Sequence, residues 1–441
     1  MSAAHSDEVD RNRNARRAAL AGGVGTLIEF FDFSVYAYVS VTIAPLFFPG
    51  GDPTASLLAT LAVFGTAYVV RPLGGILFGH LGDRHGRRTA LVATVVCMGA
   101  ASTLIGLLPT HASIGAAAAV LLLALRLVQG LCAGGEIGGA TTLIAELAPS
   151  RRRTLYASAP GIGGTLGFGT ASAVVALMIA FTTPEQMTEW GWRIPFLVSV
   201  PLTVLSLWAR RRVPQDPVVQ DDTPRPLPVV EAVRRSPRGV VLTAGLSLVA
   251  NGTTYIGLTY FSIHLVGVLG YPKGPVAWIT MAVIFLSAPF APLCGIWADR
   301  IGVKRVALIG LIGYLLVAYP VMLAMGIGSL VLTAVVFLVF VAMNAPIQVA
   351  TFALMPRLFD RDVRYSGVAL GYNIGVVIAG GSAPLIATWL VSVTGDVNAP
   401  AFFVGVVVLL GTAAVLAIRP SDLRATGDEL AAGTTEGVRA S

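Results

Sequence analysis

Apolar runs of about 20 residues recur along nearly the whole chain. Of its 441 positions 55% are hydrophobic and only 12% charged. A soluble domain carries roughly a quarter charged residues, so water is not the main solvent of this protein. About 20 apolar residues cross a bilayer as a helix, whereas a barrel would show alternating strands of roughly ten residues. The expected fold class is an all-α membrane protein with twelve transmembrane helices, both termini cytoplasmic. Spans are expected at about residues 18–47, 55–81, 88–109, 115–147, 155–182, 194–213, 237–268, 273–298, 304–325, 327–354, 365–393 and 399–418.

Basic residues set the orientation, because Lys and Arg in short loops are retained on the cytoplasmic side. Away from the span ends only Arg71 and Arg126 lie inside spans, while Arg193 and Lys273 fall in alternate loops and the rest collect on one side. The net charge of +7 is thus a topology signal scattered over short loops, and no nucleic-acid partner is expected. Cys97, Cys132 and Cys294 lie in apolar spans without metal-ligand spacing and read as small core residues. Residues 1–17 mix acids and Arg ahead of an apolar segment too long for a signal-peptide core, so no cleavage is expected.

The chain repeats itself. Gly79-His80-Leu81-Gly82-Asp83-Arg84-His85-Gly86-Arg87-Arg88 returns as Gly295-Ile296-Trp297-Ala298-Asp299-Arg300-Ile301-Gly302-Val303-Lys304-Arg305, with Gly, Asp, Arg and Gly each displaced by 216 positions. Both copies follow the second span of their half, so the halves are parallel repeats. The expected organisation is an N-terminal tail (1–17), a six-helix bundle (18–213), a Pro-rich linker (214–236), a second bundle (237–418) and a C-terminal tail (419–441). The loops suit a cytoplasmic gate made of Gly79, Asp83, Arg84, Gly86, Arg87, Arg88, Glu146, Asp299 and Arg300. An Asp at a helix boundary can pair with Arg or cap a neighbouring helix N-terminus. Glu146 is placed to pair with Arg87 or Arg88; a plain surface salt bridge is the simpler alternative.

The Gly-x-x-x-Asp-Arg-x-Gly-Arg-Arg loop resembles the signature of the major facilitator superfamily. Gly25 to Tyr36, Arg71-Pro72-Leu73-Gly74-Gly75, Arg126 to Gly130, Gly134-Gly135-Glu136, Gly191 to Phe196 and Val363 to Gly367 resemble its metabolite:proton symporters, a family that carries shikimate, citrate, 2-oxoglutarate, proline and betaine. The similarity runs from about residue 20 to about 418. It implies proton-driven transport without a cofactor, and a role in proton coupling for the Arg126 to Gly130 stretch. The chain departs from the family pattern at Phe30-Phe31, Ile137, Gly161 and Arg357; the last suggests that Asp360 or Asp362 serves the second-half gate. Ala159-Pro160-x-x-Gly163-Gly164 partly resembles an antiporter motif of the drug-efflux branch.

A charge at mid-bilayer costs about 2.5–3.5 kcal/mol on the insertion scale, so it needs a partner or a task. Glu29 and Asp32 share one face of the first span; Arg71 lies in the second, Arg126 and Glu136 in the fourth. Static ion pairs, for instance Asp32 with Arg71, would lock the first half. Three acids against two Arg leave a carboxyl incompletely paired, and such a group can load and release a proton. Glu29, Asp32 and Glu136 are therefore the proton-coupling candidates, and Arg71 and Arg126 the candidates for a substrate carboxylate or for tuning those acids. Tyr36 joins the candidate wall in the first half. The second half offers no comparable charge and contributes Asn251, Tyr255, Asn344, Gln348, Tyr372 and Asn373, which also suit plain interhelical bonding. His264 is expected near the outer end of its span.

A nucleotide-driven pump is excluded: Lys273 and Lys304, the only lysines, sit in no phosphate-binding loop, and no ATPase subunit is expected. The five His are dispersed, without metal or nucleophile spacing, so an enzyme is not expected. The leading reading is proton symport of a small carboxylate or zwitterion by alternating access, with proton-coupled efflux as the alternative. The protein is expected to act as a monomer in a bacterial inner membrane, with a small-molecule substrate, protons and lipid as its partners.

Overall fold

An α-helix satisfies every backbone N–H and C=O within one segment, which lipid requires. The structure, a computed structural model, describes residues 2–85, 87–210 and 228–424; within these, the side chains of 2–12, 14, 79, 80, 82–85, 87–91, 135, 136, 150, 208–210 and 228 lie outside the description. Among the described residues ten helical segments are long and apolar enough to cross a membrane. They are α1 (Ala15–Phe47), α2 (Pro53–Phe78), α4 (Ala117–Leu147), α5 (Arg153–Phe181), α7 (Pro237–Gly267), α8 (Lys273–Ile301), α9 (Val303–Met325), α10 (Leu330–Leu358), α11 (Arg361–Thr394) and α12 (Pro400–Ala417). Two shorter apolar helices, α3 (Val92–Leu107) and α6 (Gly191–Leu207), complete the sequence of elements.

The helix ends follow local chemistry. Asp52 caps α2 by accepting from the Thr54 N–H at 2.8 Å, with Pro53 in the first turn. Gly302, from the repeated loop, has φ +97° between α8 and α9, a conformation that explains why the repeat carries glycine there. The first helix begins upstream at Ser2 and runs unbroken into α1, so residues expected as a tail continue the helix. The expected linker ends in a short helix, Pro228–Arg235, and its earlier part lies outside the described residues.

Close packing depends on glycine at two matched places. A side-chain carbon at Gly163 of α5 would collide with the carbonyl oxygen of Gly23 on α1, and one at Gly167 with that of Leu27. In the second half, one at Gly375 of α11 would meet the Ala244 carbonyl on α7. The pairs α1/α5 and α7/α11 are equivalent under the sequence repeat. The first six helices meet the last six where α5 lies beside α8 and α2 beside α11, an exchange of equivalent members. π-helical turns interrupt α7 at Ile256–Tyr260 and α11 at Val376–Gly380; such turns often mark functional positions.

Gly163→Val should force α1 from α5. Overpacking of about 1–3 kcal/mol is expected, seen as a melting temperature several degrees below wild type. The same change at Gly405, where the space is open, should leave it unchanged.

Candidate functional site

Two buried arginines and two buried carboxyls occupy the middle of the first six helices. Glu29, Asp32 and Arg71 are each 2% exposed and Arg126 0%. Arg71 pairs with Glu29, so the static pair that the structure forms is not the Asp32–Arg71 example. Its guanidinium also lies over the Phe33 and Tyr68 rings at 5.0 and 5.3 Å from their centroids. Cation–π contact out of water is worth about 2 kcal/mol, so carboxylate and rings together offset the cost of holding this charge in an apolar interior.

Asp32 takes a different partner. The Ser199 hydroxyl of α6 donates to its Oδ1, and Ser102 of α3 stands beside it. Ser102 Oγ accepts from Gln129 Nε2 at 2.6 Å, and Gln129 Oε1 accepts from Arg126 Nη1 at 2.9 Å. A buried polar chain thus runs from Asp32 through Ser102 and Gln129 to Arg126, with three helices, α1, α3 and α4, supplying it. Arg126 has no carboxylate within salt-bridge distance among the described residues. It is held instead by ring faces: Tyr36 at 4.4 Å, Phe33 at 5.1 Å and Phe64 at 5.2 Å. Tyr36 is itself tethered to the Thr60 carbonyl at 3.0 Å. Glu136 was expected in this set; its side chain lies outside the described residues.

The second half faces this cluster with a neutral wall. Tyr372 donates to Asn251 Oδ1 at 3.1 Å, and Asn251 bonds back to Ser247 on its own helix. Asn344 Nδ2 donates to Thr253 Oγ1 at 2.9 Å, and Gln348 Nε2 to Thr254 Oγ1 at 2.6 Å. Gln348 Oε1 has no hydrogen-bond partner among the described residues. Tyr255 touches the other half directly: its hydroxyl accepts from Tyr68 at 2.6 Å, and its ring meets Phe64, Tyr68 and Phe168 edge-on at 5.5–6.0 Å.

At the Arg-rich end Asp299 accepts from the backbone N–H groups of Thr154 and Leu155 at 2.9 and 3.1 Å. It caps the N-terminal turn of α5 from the other half, where carboxylates are stabilised. Glu146 reaches Arg364 of α11 at 3.6 Å; its expected partners Arg87 and Arg88, like Asp83 and Arg84 of the expected gate, have side chains outside the described residues, the surroundings of Gly79 are likewise not described, and Gly86 lies outside the described residues altogether. Arg300 makes no described ion pair with the other half. Asn373 Nδ2 donates across to the Gly134 carbonyl at 2.9 Å. Asp360 pairs with Arg424 at 2.9 Å, within its own half. At the opposite end Tyr38 donates to the Leu258 carbonyl, in the π-helical turn of α7, at 2.5 Å. His264 is 1% exposed, its Nδ1 3.2 Å from the Tyr260 hydroxyl, deeper than its expected place at the span end.

Sequence reasoning placed Glu29, Asp32, Arg71 and Arg126 but missed Ser102, Gln129, Ser199, Phe33, Phe64 and Tyr68. Gln129 lay inside a singled-out motif; serines and aromatics in apolar spans carry no such signal. The buried Arg364, 1% exposed, also lay inside a singled-out motif, Val363 to Gly367, but was not named as a site residue.

Replacing Asp299 by Ala removes the cap, at a cost of about 0.5–2 kcal/mol. A cysteine at Gly161, beside Phe352 of the facing half, should then react faster with a soluble thiol reagent added from the Arg-rich end; an unchanged rate would show that the cap does not help close that end.

The family model of the Major Facilitator Superfamily matches residues 23–285 and 248–436. The chain is 36% identical over 408 residues to the ectoine/proline transporter ProP of Corynebacterium glutamicum, covering 88% of this chain and 81% of that one. It is 36% identical over 409 residues to the inner membrane metabolite transport protein YhjE of Escherichia coli, covering 88% and 90%. A proline/betaine transporter of Salmonella typhimurium is 32% identical over 417 residues, covering 90% and 82%. Among solved structures, the proton:xylose symporter XylE bound to 6-bromo-6-deoxy-D-glucose superposes with a TM-score of 0.72 at 17% identity, covering 92% of this chain and 95% of that one.

Proposed function

Because the chain belongs to the major facilitator superfamily of membrane transporters, we propose that it is a proton-coupled symporter of a small zwitterion or carboxylate. The observation that carries this reading is the buried chain from Asp32 to Arg126. An ionised Asp32 holds Arg126 through Gln129 and by charge. Protonation of Asp32 removes that hold, and Arg126 becomes available to a substrate carboxylate. Proton and substrate then bind together, which is the thermodynamic content of symport.

The rest of the cluster fits this division of labour. Arg71 is already committed to Glu29, so Arg126 is the arginine with capacity to spare. The ring faces of Tyr255 and Phe168 suit an ammonium or quaternary ammonium end, since Tyr68 already carries Arg71 on its face. The relatives are named for ectoine, proline and betaine, and we take a zwitterion of that size as the leading substrate.

Twelve crossings are proposed, counting α3 and α6, arranged as two parallel six-helix halves in a bacterial inner membrane. The Arg-rich end is cytoplasmic on charge grounds. Bonds across the halves at both ends, from Asp299 to α5 and from Tyr38 to α7, support reading this arrangement as an occluded form. Rocking of the halves about the central cluster would break one set at a time. The monomer suffices, since both gates and the cluster come from one chain.

Protein in proteoliposomes, given an inward proton gradient, should accumulate one of radiolabelled proline, glycine betaine, ectoine, 2-oxoglutarate or shikimate. Asp32→Asn should abolish gradient-driven accumulation yet retain exchange of labelled for unlabelled solute. Expulsion of preloaded solute in place of uptake would replace symport by the efflux reading. Gln129→Leu should lower accumulation at least tenfold while leaving the folded yield intact.

A further inference from the structure

A second site lies at the end of the molecule away from the arginines. There α1, α5, α7, α8 and the short helix Pro184–Glu189 enclose a cleft between the two halves. Its volume is about 50 Å³, room for about three to five waters at about 10–15 Å³ each. Tyr38 forms the floor toward the central cluster, through its bond to the Leu258 carbonyl.

One face of α8 supplies the chemistry. Lys273, Val276, Ala277 and Thr280 line the cleft, and their spacing of three, four and seven puts them on a single helix stripe. Lys273 stands at the mouth, in the first turn of its helix, without a carboxylate partner among the described residues. Glu185 and Glu189 lie on the neighbouring short helix, and neither forms a described ion pair with it. Thr280 is 1% exposed and its hydroxyl has no hydrogen-bond partner among the described residues. A hydroxyl buried without a partner costs about 1–3 kcal/mol, so a ligand that supplied one would be favoured. From Lys273 to Thr280 the helix rises about 10 Å, and both side chains line the same cleft. Val41, Val175, Ile179, Ile263 and Val266 give the walls their apolar part, and Thr42, Ser172 and Ser262 add hydroxyls.

We propose that this cleft is a second, outer binding site for a small carboxylate-bearing solute, with the carboxylate on Lys273 and the far end against Thr280. Binding there stands apart from the transport mechanism; only its role as the first stop on the way to Arg126 rests on the symport reading.

The chain has two lysines, Lys273 and Lys304, and Lys304 donates to the Ile418 carbonyl at the opposite end. Full-length purified protein would be acetylated with a sulfosuccinimidyl ester, and each lysine followed by peptide mass spectrometry. Glycine betaine and 2-oxoglutarate serve as probes because neither has an amine that consumes the reagent; sodium chloride of equal ionic strength is the reference. At 10 mM either probe should slow acetylation of Lys273 at least threefold and leave Lys304 unchanged. The protection should survive Arg126→Gln and weaken in Thr280→Val. Equal rates with probe and chloride would overturn the site, as would protection that disappears in Arg126→Gln and persists in Thr280→Val, which would place the ligand at the central cluster. Failure of proton-driven uptake with protection intact would contradict the symport reading and leave this site standing.

Discussion

Placing ionised groups inside an apolar bundle is the constraint around which the first half is arranged. Arg71 and Arg126 solve it in different ways. Arg71 has a carboxylate and two ring faces; removing Glu29 would leave an uncompensated buried charge, a change worth several kcal/mol. Arg126 has rings, a carbonyl and an amide oxygen, with its charge partner Asp32 two hydrogen-bonded residues away. The first arrangement is structural. The second leaves a guanidinium without a carboxylate at salt-bridge distance among the described residues, and the proposed function rests on that difference.

The aromatic side chains belong to the same solution. Phe33 lies beneath both guanidinium groups, so one ring on α1 serves α2 and α4 together. Tyr68 carries Arg71 on its face and donates its hydroxyl to Tyr255 of the other half. The charge cluster is thereby tied to the contact between halves, and motion of one is felt by the other. Tyr68 also packs on the backbone at Gly381, directly after the π-helical turn of α11, where a side chain would obstruct it.

Much of this was legible in the sequence. Apolar run length pointed to helices, and the displaced Gly-Asp-Arg-Gly repeat made α2 and α8 equivalent members of the two halves, a correspondence with which the α5/α8 and α2/α11 contacts agree. Asp299 as a cap on a helix N-terminus was one of two roles open to an Asp at a boundary, the other being a pair with Arg. The pairing of charges was not legible: Glu29 and Asp32 are three residues apart on one helix, and only the rotation of α1 against α2, α3 and α6 decides which meets Arg71 and which meets serines. Ser102 and Ser199 are ordinary residues in apolar spans until the fold sets a carboxyl between them. Arg364 looked like a loop charge because its burial comes from α4, which contributes Glu146 from the other half.

The central claim is that the charge of Asp32 decides whether Arg126 receives a carboxylate. Its most direct test is the dissociation constant of the transported solute from purified protein, measured between pH 5 and pH 9 for wild type and Asp32→Asn. Wild-type affinity should strengthen as pH falls, with one proton taken up per solute bound, while Asp32→Asn should bind tightly at every pH and take up none. The same pH dependence in both proteins would contradict the account and move the coupling proton to another carboxyl.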